Sequence, residues 1–217
     1  MDQALELLPA DCWRWYLTAN APEGSDTAFT WEQFATAVNK DLADVLGNFV
    51  NRILKFCETR LGGVVPEGGE AGPRELQLYA DIGKSVAELN ANLEAIEIRK
   101  SAQAVRALWV LGNEYLAEAA PWTAMKTDPV RAGVIVRTAL NLTALFARVS
   151  SPFIPFAAET IGAALGQDER SWPGEDIAAE LNRLTPGAAV RTPEVLFRKI
   201  DDAQLAEWGE RFGGAEA

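Results

Sequence analysis

Two polar side chains, Asn48 and Arg52, are four residues apart in a segment with helical periodicity. At that spacing they lie on one face of a helix, a turn apart, with Asn51 and Lys55 beside them. An amide has donors and an acceptor, and a guanidinium is a fixed fork of donors, so the pair is suited to reading the edges of unpaired bases. The alternative is an ordinary surface pair that binds a neighbouring charge.

A tryptophan, Trp122, follows Ala120-Pro121 where a helical pattern ends near Ala119. Because the residue before a proline favours extended backbone, this arrangement can project the indole as a stacking platform, worth about 1 to 3 kcal/mol per base. The alternative is core packing, since the chain has seven tryptophans. Downstream, Lys126 and Arg131 either contact phosphates, as Lys55 would, or face water.

Catalytic chemistry has little support in the sequence. The chain has no histidine, which excludes Cys/His zinc sites and nucleophiles activated by histidine. Cys12 and Cys57 are isolated in apolar helical stretches, as expected for reduced, buried thiols. The acidic pairs at 175–176 and 201–202 lack paired helical spacing, so a metal-dependent enzyme is disfavoured. We therefore predict no catalytic residue, no metal site and no cofactor bound by this chain.

The net charge of −11 would argue against nucleic-acid binding if it were spread evenly. Residues 31–60 carry four basic and four acidic side chains, and residues 98–148 carry seven basic and three acidic ones. These stretches sum to 0 and +4, which leaves −15 elsewhere. The distribution is compatible with a local binding face.

A capping box opens the helix that carries Asn48 and Arg52. The Thr30 hydroxyl can accept from a free backbone N–H, and Gln33 can reach back. One helix is therefore predicted over about 31–60, with apolar positions 34, 38, 42, 45, 49 and 53 on its buried face.

The remaining periodicity predicts an all-α fold, a bundle of about five helices. A short aromatic helix spans 10–21, two bundle helices or one long helix with a shifted face follow a Gly/Pro-rich flexible loop at 62–73, and helices begin at Asp128-Pro129 and Ser151-Pro152. The tail is irregular, with an extended Val195-Leu196-Phe197 and a last helix near 203–212. The predicted organisation is an N-terminal remnant over 1–30, the bundle over 31–170 and the tail over 171–217.

Several motifs between about residues 9 and 200 resemble class I methionyl-tRNA synthetases, in the family's order. They are Ala10-Asp11-Cys12-Trp13-Arg14-Trp15-Tyr16-Leu17, Phe29-Thr30-Trp31, Asn39-Lys40-Asp41-Leu42, Asn48 with Arg52, Ala120-Pro121-Trp122 and Pro152-Phe153-Ile154-Pro155. The resemblance implies an α-helical anticodon-binding bundle in which Asn48, Arg52 and Trp122 match the positions that contact the CAU anticodon of methionine and initiator tRNAs. Trp15-Tyr16 replaces the usual Tyr-Tyr, which affects packing, and Arg14 is expected to hold a domain junction.

The family's catalytic elements, a His-x-Gly-His motif and a lysine-rich loop, are missing here. ATP and methionine would therefore bind an absent catalytic domain or subunit, and this chain should be inactive alone. The expected partners are tRNA(Met), including the initiator, and that catalytic part, with no membrane and no DNA. No apolar run approaches the ~18 residues of a membrane span, so we expect a cytoplasmic protein. Candidates for the surface facing the catalytic part are Leu5, Leu7, Leu8, Trp13 and residues 195–197.

A helical protein-interaction module is the rival function, and the net charge of −11 slightly favours it. In that case the chain would be a synthetase companion that does not itself read the anticodon. The two functions differ in whether one continuous face holds Arg52, Lys55, Trp122 and Lys126, together with Arg99 or Lys100.

Overall fold

A computed structural model describes residues 2–24, 26–167 and 171–212. These residues form helices and loops, with no β-strand among them and a single isolated bridge between Val64 and Ala189. The predicted all-α fold is confirmed. The helices are α1 (Asp2–Leu7), α2 (Ala10–Ala19), α3 (Trp31–Thr36), a π-helical segment (Ala37–Gly47), α4 (Asn48–Arg60), α5 (Pro73–Glu94), α6 (Ile98–Ala119), α7 (Pro121–Thr127), α8 (Pro129–Ser150), α9 (Pro155–Ala164), α10 (Ile177–Glu180) and α11 (Asp202–Phe212).

The long helices α5, α6 and α8, with the 31–60 helix and α9, form the predicted bundle. α8 is its central helix, since nearly every side chain from Ala132 to Ser150 is buried. By length and composition α8 could also span a membrane. However, 83% of its 18-residue apolar stretch is buried inside the protein. Arg137 and Arg148 interrupt the apolar sequence of this helix. Its burial is that of a core helix.

The predicted helix over 31–60 is present as one continuous run of α3, the π-helical segment and α4. Thr30 caps it, accepting from the backbone N–H of Gln33 at 3.2 Å. The π-helical stretch was not predicted. Within it the buried positions are 38, 42 and 46, spaced four apart. Val45, predicted on the buried face, is half-buried, and Leu46 is buried in its place.

The N-terminal helix α2 packs into the same core as the bundle. Trp15 lies 4.7 Å from the Trp109 ring, and buried Asp11 accepts a 2.7 Å hydrogen bond from the backbone N–H of Ala157 at the start of α9. Arg14 donates to the carbonyl oxygens of Pro152 and Phe153, so it ties α2 to the turn between α8 and α9. The domain boundaries at residues 30 and 170 stay predictions, and residue 170 itself is outside the described residues.

The Gly/Pro-rich loop and the C-terminal tail hold each other in place. Backbone N–H groups of Val65, Gly187 and Val190 donate to carbonyl oxygens of the opposite segment at 2.8 to 2.9 Å. Further along the tail, α11 confirms the predicted last helix, and Trp208 packs on Trp31 with 5.3 Å between ring centroids. The loop expected to be flexible is therefore anchored, and the tail is part of the fold up to Phe212, beyond which the predicted tail is outside the described residues.

The turn between α5 and α6 places a β-branched residue, Ile96, at a φ of 60°. The helix ends with a 2.9 Å hydrogen bond from the Glu97 N–H to the Asn92 carbonyl, in the motif where glycine usually takes the left-handed position. The Ile96 side chain is 76% exposed, so it contributes little burial to offset the backbone strain. The sequence has no glycine here to signal this turn.

Replacing Ile96 with glycine is expected to stabilise the protein by about 1 to 2 kcal/mol, the cost of a left-handed conformation for a residue with a Cβ. Urea unfolding followed by circular dichroism would measure the change. Ala95→Gly is the matched control, because Ala95 is right-handed at a φ of −79° and should lose stability. An Ile96→Gly variant no more stable than wild type would contradict the assignment of strain.

Candidate nucleic-acid interface

Arg52 and Trp122, two of the three predicted base-contacting residues, touch in the structure. The guanidinium carbon of Arg52 lies 4.6 Å from the centroid of the Trp122 ring, which joins α4 to α7. Both side chains are half-buried, and Trp122 packs on the core with part of its surface accessible. Asn48 is exposed one helical turn before Arg52. The structure therefore places an indole, a guanidinium and an amide next to one another along one surface.

The backbone around Trp122 differs from the predicted extended conformation. Ala120 is left-handed, at a φ of 41° and a ψ of 67°, and Pro121 begins the short helix α7. A proline is well tolerated in the first helical turn, where its missing N–H is not needed, while it keeps the preceding residue out of the right-handed helical region. Ala120 avoids the right-handed helical region by adopting a left-handed conformation, where the sequence predicted an extended one. It turns the chain sharply between α6 and α7, so Trp122 is held by a helix and not by a loop.

The three cations predicted to contact phosphate have different environments. Lys55 and Lys126 are exposed, and each is a few residues from Arg52 or Trp122 along its own helix. Arg131 is not available in the same way, because its Nη1 and Nη2 atoms each donate a 2.7 Å hydrogen bond to the carboxylate of Glu75. The structure gives no support to a phosphate contact by Arg131.

Most arginines in the positively charged segment 98–148 are committed to partners inside the protein. Arg106 pairs with Asp41 at 2.5 Å, and Arg137 donates to the Glu67 carbonyl at 2.9 Å. Arg99 and Lys100 are exposed but lie at the far end of α6, about 30 Å from Trp122 by helical rise. The +4 of this segment therefore does not form one face, and the candidate interface is small, centred on Asn48, Arg52 and Trp122.

The Arg131 partner, Glu75, is the acceptor of a buried network. Its side chain has no exposed surface and also accepts from the Tyr115 hydroxyl at 2.6 Å and the Gly72 N–H at 2.9 Å. Burial alone would raise the pKa of Glu75, but the hydrogen bonds from Arg131 and Tyr115 outweigh it and hold the pKa below its usual range. The carboxylate is thus charged at neutral pH and compensates the charge of Arg131.

Asn48 lies at a groove of ≈ 550 Å³. This groove was not predicted from the sequence. One wall is the helix from Ala43 to Asn51, and the other is the tail segment from Pro193 to Lys199. Lys199 closes one end with a 2.5 Å ion pair to Asp44 and lowers the pKa of that carboxyl. Phe197, predicted as part of an outer docking surface, is instead buried in the chain's own core, whereas Val195 is 71% exposed.

The described residues contain no group of three or more metal-ligating side chains. Asp176 and Asp201, members of the two acidic pairs, accept from backbone N–H groups at the starts of α10 and α11. Burial raises the pKa of Cys12 to about 12 and that of Cys57 to about 11, so both free thiols stay protonated at neutral pH. The two aspartates therefore cap helices, and the two cysteines are buried in the core.

Comparison with known sequence families gives two matches that together cover most of the chain. Residues 65–217 match the anticodon binding domain of methionyl tRNA ligase, and residues 1–54 match the class I tRNA synthetases of the methionine type. The boundary between the two matches lies within or just after α4, downstream of Asn48 and Arg52 and upstream of Trp122. The candidate interface is therefore built from both matched regions.

Named relatives and solved structures agree with these matches. The chain is 70% identical, over all 217 residues, to 38% of a methionine–tRNA ligase from Caulobacter vibrioides strain NA1000 / CB15N. It is 57% identical over 214 residues to 37% of that of Cereibacter sphaeroides strain ATCC 17025. The apo methionyl-tRNA synthetase of Mycobacterium tuberculosis superposes with a TM-score of 0.82 at 25% identity, covering 92% of this chain and 40% of that one. The chain thus spans less than half the length of these relatives.

Proposed function

This chain belongs to the methionyl-tRNA synthetase family and carries its anticodon-binding domain, and from that membership we propose that its surface at Asn48, Arg52 and Trp122 recognises the CAU anticodon of tRNA(Met), the initiator included. The observation that carries the proposal is the 4.6 Å contact between Arg52 and Trp122. It brings a flat stacking surface and a fork of hydrogen-bond donors together from helices some 70 residues apart in sequence.

In the proposed mechanism the anticodon bases leave their own stack and one of them stacks on Trp122. Arg52 and Asn48 then donate and accept hydrogen bonds at the base edges. A wrong base leaves these polar groups unpaired beneath the bound RNA, which costs about 1 to 3 kcal/mol per site. Selection therefore comes from differential binding, and this chain performs no chemical step.

Electrostatic attraction is proposed to come from Lys55 and Lys126, which are exposed on α4 and α7, the helices that carry Arg52 and Trp122. Because the chain is acidic overall, at −11, such attraction has to be local and sensitive to salt. Lys55→Ala is expected to reduce the salt dependence of binding by about one counterion without changing the preference for the anticodon.

We also propose that the chain works in the cytoplasm with a methionine-activating catalytic domain or subunit, which would bind ATP and methionine. The relatives are more than twice as long as this chain, which leaves room for such a part. Leu5 is 52% exposed, and Leu7, Leu8 and Trp13 are half-buried beside it, so they stay candidates for that contact. The rival interaction module is less favoured, because the chain matches the family's anticodon-binding domain.

Fluorescence anisotropy of this chain with a CAU anticodon stem-loop, against a stem-loop with a changed anticodon at fixed moderate salt, tests the proposal. We expect about tenfold tighter binding to CAU, and a loss of about tenfold on Trp122→Ala. Trp172→Ala is the matched control, because Trp172 is 38% exposed and its indole donates to Asn90, away from this surface. Equal affinity for both stem-loops would reject anticodon recognition by this chain.

A further inference from the structure

We propose that the ion pair between the buried Glu75 and the partly exposed Arg131 positions Trp122 for RNA binding, an inference that rests on the proposed function. The two residues act on the ends of the segment that carries Trp122, so Glu75, Arg131 and Tyr115 are positioning residues.

The geometry shows how one carboxylate holds both ends of this segment. Tyr115, in the last turns of α6, donates to Oε1 of Glu75 at 2.6 Å. Arg131, in the first turn of α8, donates to Oε1 and Oε2 at 2.7 Å each. The chain between them, residues 116–130, contains all of α7 and therefore Trp122. Glu75 on α5 thus fixes the spacing between α6 and α8, the two helices that α7 connects.

The segment needs such an anchor because its own structure is weak. α7 has seven residues, fewer than a helix needs to be stable by itself, and it follows the strained left-handed Ala120. Its placement therefore depends on α6 and α8. A shift of either helix would move the indole relative to Arg52, whose guanidinium carbon lies 4.6 Å from the ring centroid.

The features of the ion pair fit a role in fixing the positions of the helices better than a role in stabilising the fold. Buried pairs commonly contribute little over apolar residues of the same size, while a bidentate arginine and carboxylate fix direction as well as distance. Here four donated hydrogen bonds reach a carboxylate with no exposed surface. The two N–H groups that Arg131 donates to Glu75 are not available to a phosphate, because losing them would leave the buried carboxylate uncompensated. A phosphate contact by Arg131 would have to use its other N–H groups.

The test compares Glu75→Gln, Arg131→Ala and Tyr115→Phe, each alone and combined with Trp122→Ala, by anisotropy with the CAU stem-loop. We expect Glu75→Gln to weaken binding by about fivefold to tenfold, and by less than about twofold when Trp122 is already alanine, because coupled residues are not additive. Tyr115→Phe removes one hydroxyl and should show the same coupling with a smaller loss. Equal losses in both backgrounds would overturn the proposal. A loss on Arg131→Ala that Glu75→Gln does not share would also overturn it, in favour of a direct phosphate contact.

A measurement without RNA separates this inference from the proposed function. In protein labelled with 5-fluorotryptophan, the Trp122 resonance is identified by its absence in Trp122→Phe, and Glu75→Gln or Tyr115→Phe is expected to shift or broaden it. The Trp172 resonance is the internal control, since its partner Asn90 is about 22 Å from Glu75 along α5. An unchanged Trp122 resonance overturns the positioning role, whereas wild-type protein that does not prefer CAU overturns the proposed function.

Discussion

Replacing Arg52 with alanine is expected to weaken binding of a CAU stem-loop by about 2 to 3 kcal/mol, a factor of about 30 to 150. The change removes the donors placed at the base edge and also the cation that lies over the Trp122 ring. The expected effect is large because one substitution removes both interactions. Anisotropy titration at one salt concentration would measure the effect.

Arg52→Lys distinguishes base reading from simple attraction to phosphate. Lysine keeps the positive charge but lacks the planar fork that makes two hydrogen bonds in fixed directions. If Arg52 reads a base, Arg52→Lys should lose most of the preference for CAU while the salt dependence stays near that of wild type. A lysine variant that retains the full preference for CAU would show that charge alone is sufficient, contrary to our proposal.

Much of the fold could be predicted because the spacing of apolar residues along the chain indicates where the helices lie. The Thr30 cap and the proline after Asp128 located two helix starts correctly. The start predicted at Ser151-Pro152 was wrong, because Ser151 is the C-cap of α8 and α9 begins at Pro155. The π-helical segment and the left-handed residues Ile96 and Ala120 were missed. They arise where packing in the finished bundle overrides the preference of the residue itself, and no residue type at those positions signals them.

The candidate site was only partly predictable from the sequence. Asn48 and Arg52 are neighbours on one helix, so their common face follows from spacing. The contact with Trp122 joins segments far apart in the chain and was implied by resemblance, not by periodicity. The sequence also could not distinguish an arginine that is available to RNA from one that is paired inside the protein. Arg131 and Arg148 count as positive charge in composition, yet each is paired with a glutamate in the structure.

Arg148 lies at the end of the central helix α8, where the residue is 7% exposed and its guanidinium pairs with Glu180 of α10. Two further guanidinium nitrogens, Nε and Nη1, are buried without a hydrogen-bond partner. Glu180 is therefore the main compensation for a positive charge that has been taken out of water. The pair also fixes the tail, because Glu180 accepts a 2.8 Å hydrogen bond from the Gly174 N–H.

Replacing Glu180 with alanine should cost about 3 to 5 kcal/mol of stability, since it leaves the Arg148 charge buried and uncompensated. Urea unfolding would measure this loss. The paired replacement Arg148→Met with Glu180→Leu should restore most of it, because the cost comes from the unpaired charge and not from the missing contact. A double variant as unstable as Glu180→Ala would contradict that explanation.

The same pair predicts how stability depends on pH. Burial would raise the pKa of Glu180, but the hydrogen bonds from Arg148 and Gly174 outweigh it and lower the pKa below its ordinary value. A carboxyl with a lowered pKa in the folded state stabilises the protein fully above its unfolded pKa, near 4.5, and loses that contribution as the pH falls through the folded value. Wild type should therefore lose more stability between about pH 5 and pH 3 than Glu180→Gln, because the amide cannot titrate. Equal losses in the two proteins would mean that other carboxylates, Glu75 first among them, govern the acid sensitivity.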